Sequence, residues 1–170
     1  MNIFKKFIDK KHEVTIIENA ENGYVYGPME GEIIPLKEIN DGVFSEGMMG
    51  KGCGLKPSEG KVYAPFDGEI LLIAHTKHAI ALKSHDGIEI LIHVGMDTVK
   101  MNGMGFNPVI NVGDRVRGGQ LIMTFSIPDI EAAGYSTISA IIVTNSEQYN
   151  NIEVLNQGSE KKLEKIIKIS

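Results

Sequence analysis

The stretch Thr76–Val99, TKHAIALKSHDGIEILIHVGMDTV, decides how the rest of the chain is read. Two apolar runs rich in Ile, Leu and Ala flank Ser-His-Asp-Gly, the punctuation of a hairpin turn. Asp-Gly is a preferred pair for a two-residue turn. With Asp86–Gly87 at the turn centre, the predicted register sets His85 opposite Ile88, Leu82 opposite Leu91, Ile80 opposite His93 and His78 opposite Gly95. His78 and His93 then share a face, diagonal across adjacent strands, at about 7–8 Å between backbones. Two imidazoles that lean together bridge that gap. A slip of one residue would put them on opposite faces. Thr76 falls on the same face, one step beyond His78, where its hydroxyl can hold that ring. Ala79, Ala81, Ile90, Ile92 and Val94 are expected on one face, and Ile80, Leu82 and Leu91 near the histidines on the other. His85 is expected to be solvated in the turn, His75 to face elsewhere, and His12 shows no partner.

Outward from the hairpin, short β-branched runs alternate with Gly, Pro, Asn and Asp from Val14 onward, and long helical periodicity is absent. This texture predicts an all-β fold, a compact antiparallel sandwich or barrel. An internal echo supports it. Val25–Ile33 reads VYGPMEGEI and Val62–Ile70 reads VYAPFDGEI, 37 residues further on. Each copy has a proline, an acid-glycine turn and a Glu-Ile strand start, so a duplicated motif within one domain is expected. Between the copies, Val43–Pro57 is rich in glycine and methionine and reads as a loop, either flexible or an adaptable contact surface. Cys53 has no nearby His or second Cys and reads as a small buried hydrophobe. Asn111–Met123 reads as turn and strand, Pro128–Gly134 as a short helical turn, Ile138–Thr144 as a strand, and Glu160–Lys168 as a helix or final strand.

At 170 residues the chain suits a single domain, residues 19–170, with an N-terminal segment of residues 1–18. Within that segment Ile3, Phe4, Phe7 and Ile8 form one helical stripe among Lys5, Lys6, Lys10 and Lys11. Residues 1–11 either dock locally or make weak contact with an anionic membrane surface. The first is preferred, because two or three turns alone are marginal in water. The net charge of −5 excludes a nucleic-acid binder, which needs a basic surface. One cysteine allows no intrachain disulfide. No apolar run approaches the ~18 residues of a membrane span, and no signal-peptide core opens the chain. A cytoplasmic protein is expected.

An imidazole nitrogen is a good nucleophile near neutral pH and a good leaving group for a phosphoryl group. His93 is therefore expected to carry phosphate. His78 would donate to the phosphoryl oxygens, and the backbone at Val94 and Gly95 would fix the His93 ring. Phosphoryl transfer asks mainly for positioning and electrostatics, so a small site suffices. Spacing alone leaves two other readings open: a pair of histidines satisfied near a core, and a metal site. A zinc hydrolase would need a third ligand, for which only Asp97 is available. A swinging-arm carrier would place its modified lysine at Lys100, without the flanking hairpin and without a use for the histidines. A regulatory module switched by charge on His93 is compatible with the relay.

The phrases APFDGEI (Ala64–Ile70), HTKHAIAL (His75–Leu82), ILIHVGMDTV (Ile90–Val99), GDRVRGGQL (Gly113–Leu121) and VTN (Val143–Asn145) resemble one family. It is the IIA component of the glucose and β-glucoside class of the bacterial sugar phosphotransferase system. The resemblance implies a compact all-β fold with a duplicated motif, and neither metal nor cofactor. It implies that His93 takes phosphate on Nε2 from the phosphocarrier HPr and passes it to a cysteine of a membrane-associated IIB domain. It matches His78 to the second active-site histidine and Thr76 to the residue that orients it. Protein docking is implied at Gly50, Lys51, Cys53, Leu55, Ala81, Leu91, Val94, Gly95, Asp97 and Val99. The triplet Gly50-Lys51-Gly52 departs from the Gly-Asp-Gly of the glucose branch and is more like the β-glucoside, sucrose and trehalose branch.

Overall fold

A computed structural model describes residues 15–158 and 162–170. The amphipathic stretch of residues 1–11 and His12 lie outside the described residues. Nearly every element is a strand, and every strand pairing is antiparallel. The largest sheet has seven strands: β2 (Gly31–Pro35), β3 (Lys51–Pro57), β5 (Gly68–Ile73), β6 (Ala79–Ser84), β7 (Glu89–His93), β9 (Arg115–Val116) and β11 (Ser139–Val143). They lie in the order β2-β3-β11-β7-β6-β5-β9. A three-stranded sheet joins β4 (Lys61–Tyr63), β10 (Leu121–Phe125) and β8 (Phe106–Pro108). Another joins β1 (Tyr24–Tyr26), β13 (Lys165–Ile169) and β12 (Ile152–Val154). The helical turn expected near Pro128 is α1 (Ile127–Ala132), with Ser126 as its cap. Of the C-terminal run left between helix and strand, residues 165–168 belong to the strand β13, and residues 160 and 161 lie outside the described residues.

One core joins all three sheets. Ile70, Ile80, Leu82, Ile90, Ile92 and Ile141 from the large sheet meet Val62, Ile122 and Met123 from one small sheet and Val25, Ile166 and Ile167 from the other, all fully buried. This burial removes apolar surface from water at about 25 cal/mol per Å². The pattern makes the large sheet two-faced: its inner residues are mostly branched aliphatics, and its outer face mixes small, charged and apolar residues with His93.

The echo is a structural duplication. Tyr26 N–H donates to Pro65 O at 2.9 Å, and Tyr63 N–H donates to Pro28 O at 2.7 Å. Shifting either bond by 37 residues gives the other, so each copy closes the turn of its twin. The acid-glycine turns match too. A β-carbon on Gly31 would sit 2.1 Å from Lys56 O, and one on Gly68 would sit 2.2 Å from Lys83 O. Only glycine fits where each second strand starts against its neighbour.

The structure corrects two expectations. Residues 51–57 are not loop but the strand β3, between β2 and β11. Their lack of β-branched residues hid them. Gly52 and Gly54 leave no room for side chains: a β-carbon would lie 1.9 Å from Ile141 O at the first and 2.7 Å from Ile34 Cγ1 at the second. The hairpin register is also one residue off the expected one. Ala79 faces His93, Ile80 faces Ile92, Ala81 faces Leu91 and Leu82 faces Ile90. The turn holds three residues, His85–Asp86–Gly87, closed by Ser84 N–H to Ile88 O at 2.9 Å, with Gly87 at φ +93°. Three-residue hairpins with glycine in the left-handed position are the next common solution after two-residue turns. Ser84 Oγ selects it by accepting from Ile88 N–H at 2.9 Å. Asn145, in the VTN phrase, pins it: its Oδ1 accepts from Glu89 N–H at 3.0 Å and its Nδ2 donates to Gly87 O at 2.9 Å. The faces change accordingly. Ile80, Leu82, Ile90, Ile92 and Val94 form the inner face, and Ala79, Ala81, Leu91 and His93 form the outer one.

Of the N-terminal segment expected at residues 1–18, residues 15–17 are fastened to the domain. Thr15 Oγ1 donates to Gly119 O at 2.6 Å, and Ile17 N–H donates to Gly118 O at 2.8 Å. A β-carbon on Gly119 would overlap Thr15 O, so the glycine pair is the seat for this strap.

Candidate active site

His93 ends β7 on the outer face of the large sheet, and His78 stands in the loop before β6. That loop, Ala74–Ala79, is closed by Ala74 N–H to Ala79 O at 2.9 Å, with Lys77 in the left-handed region at φ +64°. The backbone rung is His78 with Val94, whose N–H donates to His78 O at 2.8 Å. Strict strand alternation would therefore separate the two side chains. They meet because His78 stands outside the strand, where the loop sets its direction. The imidazoles are edge-to-face with centroids 4.7 Å apart and planes at 82°.

Each ring is held through Nδ1. His93 Nδ1 lies 2.8 Å from Gly95 O. A carbonyl only accepts, so this nitrogen carries the proton and Nε2 is a bare lone pair. His78 Nδ1 lies 2.8 Å from Thr76 Oγ1. With the hydroxyl as donor, the His78 proton resides on Nε2, the outer nitrogen. Phe106 backs His78 with centroids 6.4 Å apart.

The surroundings keep His93 neutral. Burial lowers its pKa to about 4, helped by repulsion from His78 and opposed by the bond to Gly95 and the charge of Asp41. The apolar cover includes Phe44, whose ring centroid is 4.9 Å from that of His93. Burial lowers the His78 pKa as well, opposed by a hydrogen bond to the Thr76 backbone.

Phe44 and Asp41 were missed in the sequence, because both come from the loop before β3 and approach the site only in the fold. Asp41 folds that loop. Its carboxylate accepts from the backbone N–H of Val43 at 3.2 Å, Phe44 at 3.1 Å and Ser45 at 3.0 Å. Slight burial works the other way, yet these donors hold its pKa below the ordinary value. The signal available was Asp-Gly followed by Ser at Asp41–Ser45, the composition of an Asx turn.

The other anticipated site residues divide by exposure. Ala81 and Leu91 face each other on the outer face and are half-buried. Asp97 and Val99 are exposed on the loop after Gly95. Lys51 begins β3 at its exposed end, and the half-buried Gly50 precedes it. Cys53, Leu55 and Val94 are wholly buried on the inner face, and Gly95 is buried as well, so none of them offers a partner a surface. Burial pushes the Cys53 thiol up to about 12, which leaves it inert as a nucleophile. Lys100 belongs to the 3₁₀ turn Thr98–Met101 rather than to a hairpin tip. His75 and His85 are exposed, the latter as expected of a turn residue. Among the described residues, no three His, Cys, Asp or Glu side chains are grouped to hold a metal ion.

Residues 23–149 match the family model for the phosphoenolpyruvate-dependent sugar phosphotransferase system, EIIA 1. The chain belongs to this family. It is 38% identical over 152 residues to the glucose-specific EIIA component of Staphylococcus epidermidis, covering 89% of both chains. It is 45% identical over 134 residues to the β-glucoside-specific EIIBCA component of Dickeya chrysanthemi, covering 79% of this chain and 21% of that protein. The chain thus spans about a fifth of the length of its fused relatives. Among solved structures, the glucose permease IIA from Mycoplasma capricolum superposes with a TM-score of 0.80 at 31% identity, covering 89% of this chain and 98% of that one. Among the described residues no helix is long and apolar enough to cross a membrane.

Proposed function

We propose that the EIIA relay runs through His93. Its Nε2 accepts the phosphoryl group from the phosphohistidine of an HPr-type carrier and delivers it to the cysteine of a permease IIB domain. The observation that carries this reading is the 2.8 Å bond from His93 Nδ1 to Gly95 O, which leaves Nε2 free beside His78. In loading, the Nε2 lone pair attacks phosphorus in line as the carrier's N–P bond breaks, and the electron pair departs with the carrier's ring. The phosphorylated His93 ring is cationic, and its Nδ1–H, now more acidic, bonds Gly95 O more strongly. In unloading, a thiolate forms the S–P bond while the Nε2–P bond breaks and its pair returns to Nε2. Nδ1 keeps its proton throughout, so His93 needs no external base. His78 Nε2–H serves as donor to the phosphoryl oxygens, held in that tautomer by Thr76.

Fusion to B and C components in the relatives supports an IIB-type acceptor. The rim suits protein docking. Val43, Met48, Met49, Val99 and Met104 are large exposed apolar side chains on the loops around the pair. Asp41 and Asp97 add negative points for a basic residue of the partner, and the working location is the cytoplasm. The relay domain is residues 19–170, and the basic stretch of residues 1–11 would add only weak membrane contact.

The test is incubation with phosphoenolpyruvate, enzyme I and HPr, followed by location of the label. Acid-labile phosphate on His93, lost in His93→Ala, is the expected result. Label on another residue, or none, refutes the proposal.

A further inference from the structure

Gly95 poses a problem that its own sequence neighbours do not solve. It sits at φ +75°, and a β-carbon there would lie 2.5 Å from Thr98 Cγ2 and 2.8 Å from Ser136 O. Glycine is therefore required, yet glycine leaves the adjoining peptides free to rotate. If the Gly95 carbonyl turned away, His93 Nδ1 would lose its acceptor. Free histidine in water favours the Nε2–H tautomer, in which the nucleophilic lone pair is gone.

Two buried hydroxyls hold the peptide on the N-terminal side of Gly95, and a backbone bond holds the Gly95–Met96 peptide that carries the carbonyl. The Val94–Gly95 peptide is clamped at both ends: Thr98 Oγ1–H donates to Val94 O at 2.6 Å, and Gly95 N–H donates to Ser139 Oγ at 3.2 Å. Ser139 Oγ–H is spent on Thr137 O at 3.0 Å, so a lone pair faces Gly95. The next peptide is held as well, by Met96 N–H to Ser136 O at 3.0 Å. Thr98 and Ser139 are each 0% exposed, so water cannot replace either contact. Ser139 opens β11, where the following residue, Ala140, is the rung partner of His93. The strand that supports His93 thus also carries its clamp.

We propose that Ser139 and Thr98 are positioning residues, which fix the Val94–Gly95 peptide and thereby the direction of the Gly95 carbonyl that follows it, so that His93 stays in the Nδ1–H tautomer with Nε2 ready to take a phosphoryl group. The proposal deepens the reading of His93 as the acceptor and rests on it for its catalytic meaning. The tautomer itself is measured without phosphate, by ¹⁵N shifts of the His93 ring in the full chain at pH 7.5. The wild type is expected to show a protonated Nδ1 and a bare Nε2. Ser139→Ala and Thr98→Val are expected to move both shifts toward a tautomer mixture and to slow phosphate uptake roughly tenfold. Ser139→Thr and Thr98→Ser, which keep the hydroxyls, are expected to restore both. Folded Ser139→Ala and Thr98→Val proteins with unchanged ring shifts overturn the proposal. So does an Nε2–H tautomer in the wild type, which needs no variant. A wild type that shows the Nδ1–H tautomer but takes no phosphate on His93 instead sinks the relay reading and leaves the clamp standing.

Discussion

Lowering the pH separates a buried His93 from a solvated one, and Phe44 is the lever. With a pKa of about 4, set mainly by burial and then by His78, His93 is neutral at pH 5.5 in about 97% of molecules. At the ordinary value of 6.5 the neutral fraction would be about 9%. The difference is a tenfold gain in reactive imidazole at mildly acidic pH. The same shift makes stability pH-dependent. Between about pH 4 and 6.5 the unfolded chain binds the proton and the folded chain does not. His93's contribution is fully present above 6.5 and is lost as pH falls toward 4, up to about 3 kcal/mol. Ring ¹⁵N and ¹H shifts followed from pH 8 to pH 4 should show no His93 titration above about pH 5. Phe44→Ala uncovers one side of the ring. Its midpoint should rise by about one pH unit, and the ring's contribution between pH 5 and 6.5 should shrink in step. A wild-type midpoint of 6 or higher, or an unmoved midpoint in Phe44→Ala, would refute the account of burial given above.

His78→Ala should slow both loading and unloading of His93 by about 10²-fold, the usual loss for one donor to a transferring group. His78→Gln keeps an N–H donor and should accept phosphate while passing it on poorly, as single-turnover transfer in each direction would reveal. Gly52→Ala forces a β-carbon into Ile141 O across the β3–β11 ladder. It should cost about 1–3 kcal/mol, read as a fall in the urea midpoint. Asp41→Ala removes the acceptor for three backbone donors and should cost about 1 kcal/mol while lowering the His93 pKa further, since the Asp41 charge raises it.

What could be read in advance follows from how local the cause is. The duplication was legible because both copies carry the same proline and acid-glycine turn, and each of those turns is closed by its twin. The histidine pair was legible as a pair, but for a reason that did not survive. Asp86–Gly87 signalled a two-residue turn, while the hydroxyl of Ser84 and the amide of Asn145, 61 residues further on, select a three-residue one. That single residue sets Ala79 and Ala81, in place of Ile80 and Leu82, on the face of Leu91 and His93, and it would have parted the histidines had His78 been in the strand. Strand β3 escaped notice because β-propensity reports packing of side chains, and here the strand exists to have none at Gly52 and Gly54. Asp41, Phe44, Thr98 and Ser139 form the least legible group. Phe44 and Ser139 lie outside the quoted motifs, Asp41 shows only a turn signal, Thr98 sits inside a motif that gives no hint of its role, and each acts through a backbone group or a ring face that only the closed fold brings near. The proposed nucleophile can be found from its own strand, but the reason it stays neutral and in one tautomer is distributed over three separate stretches of chain.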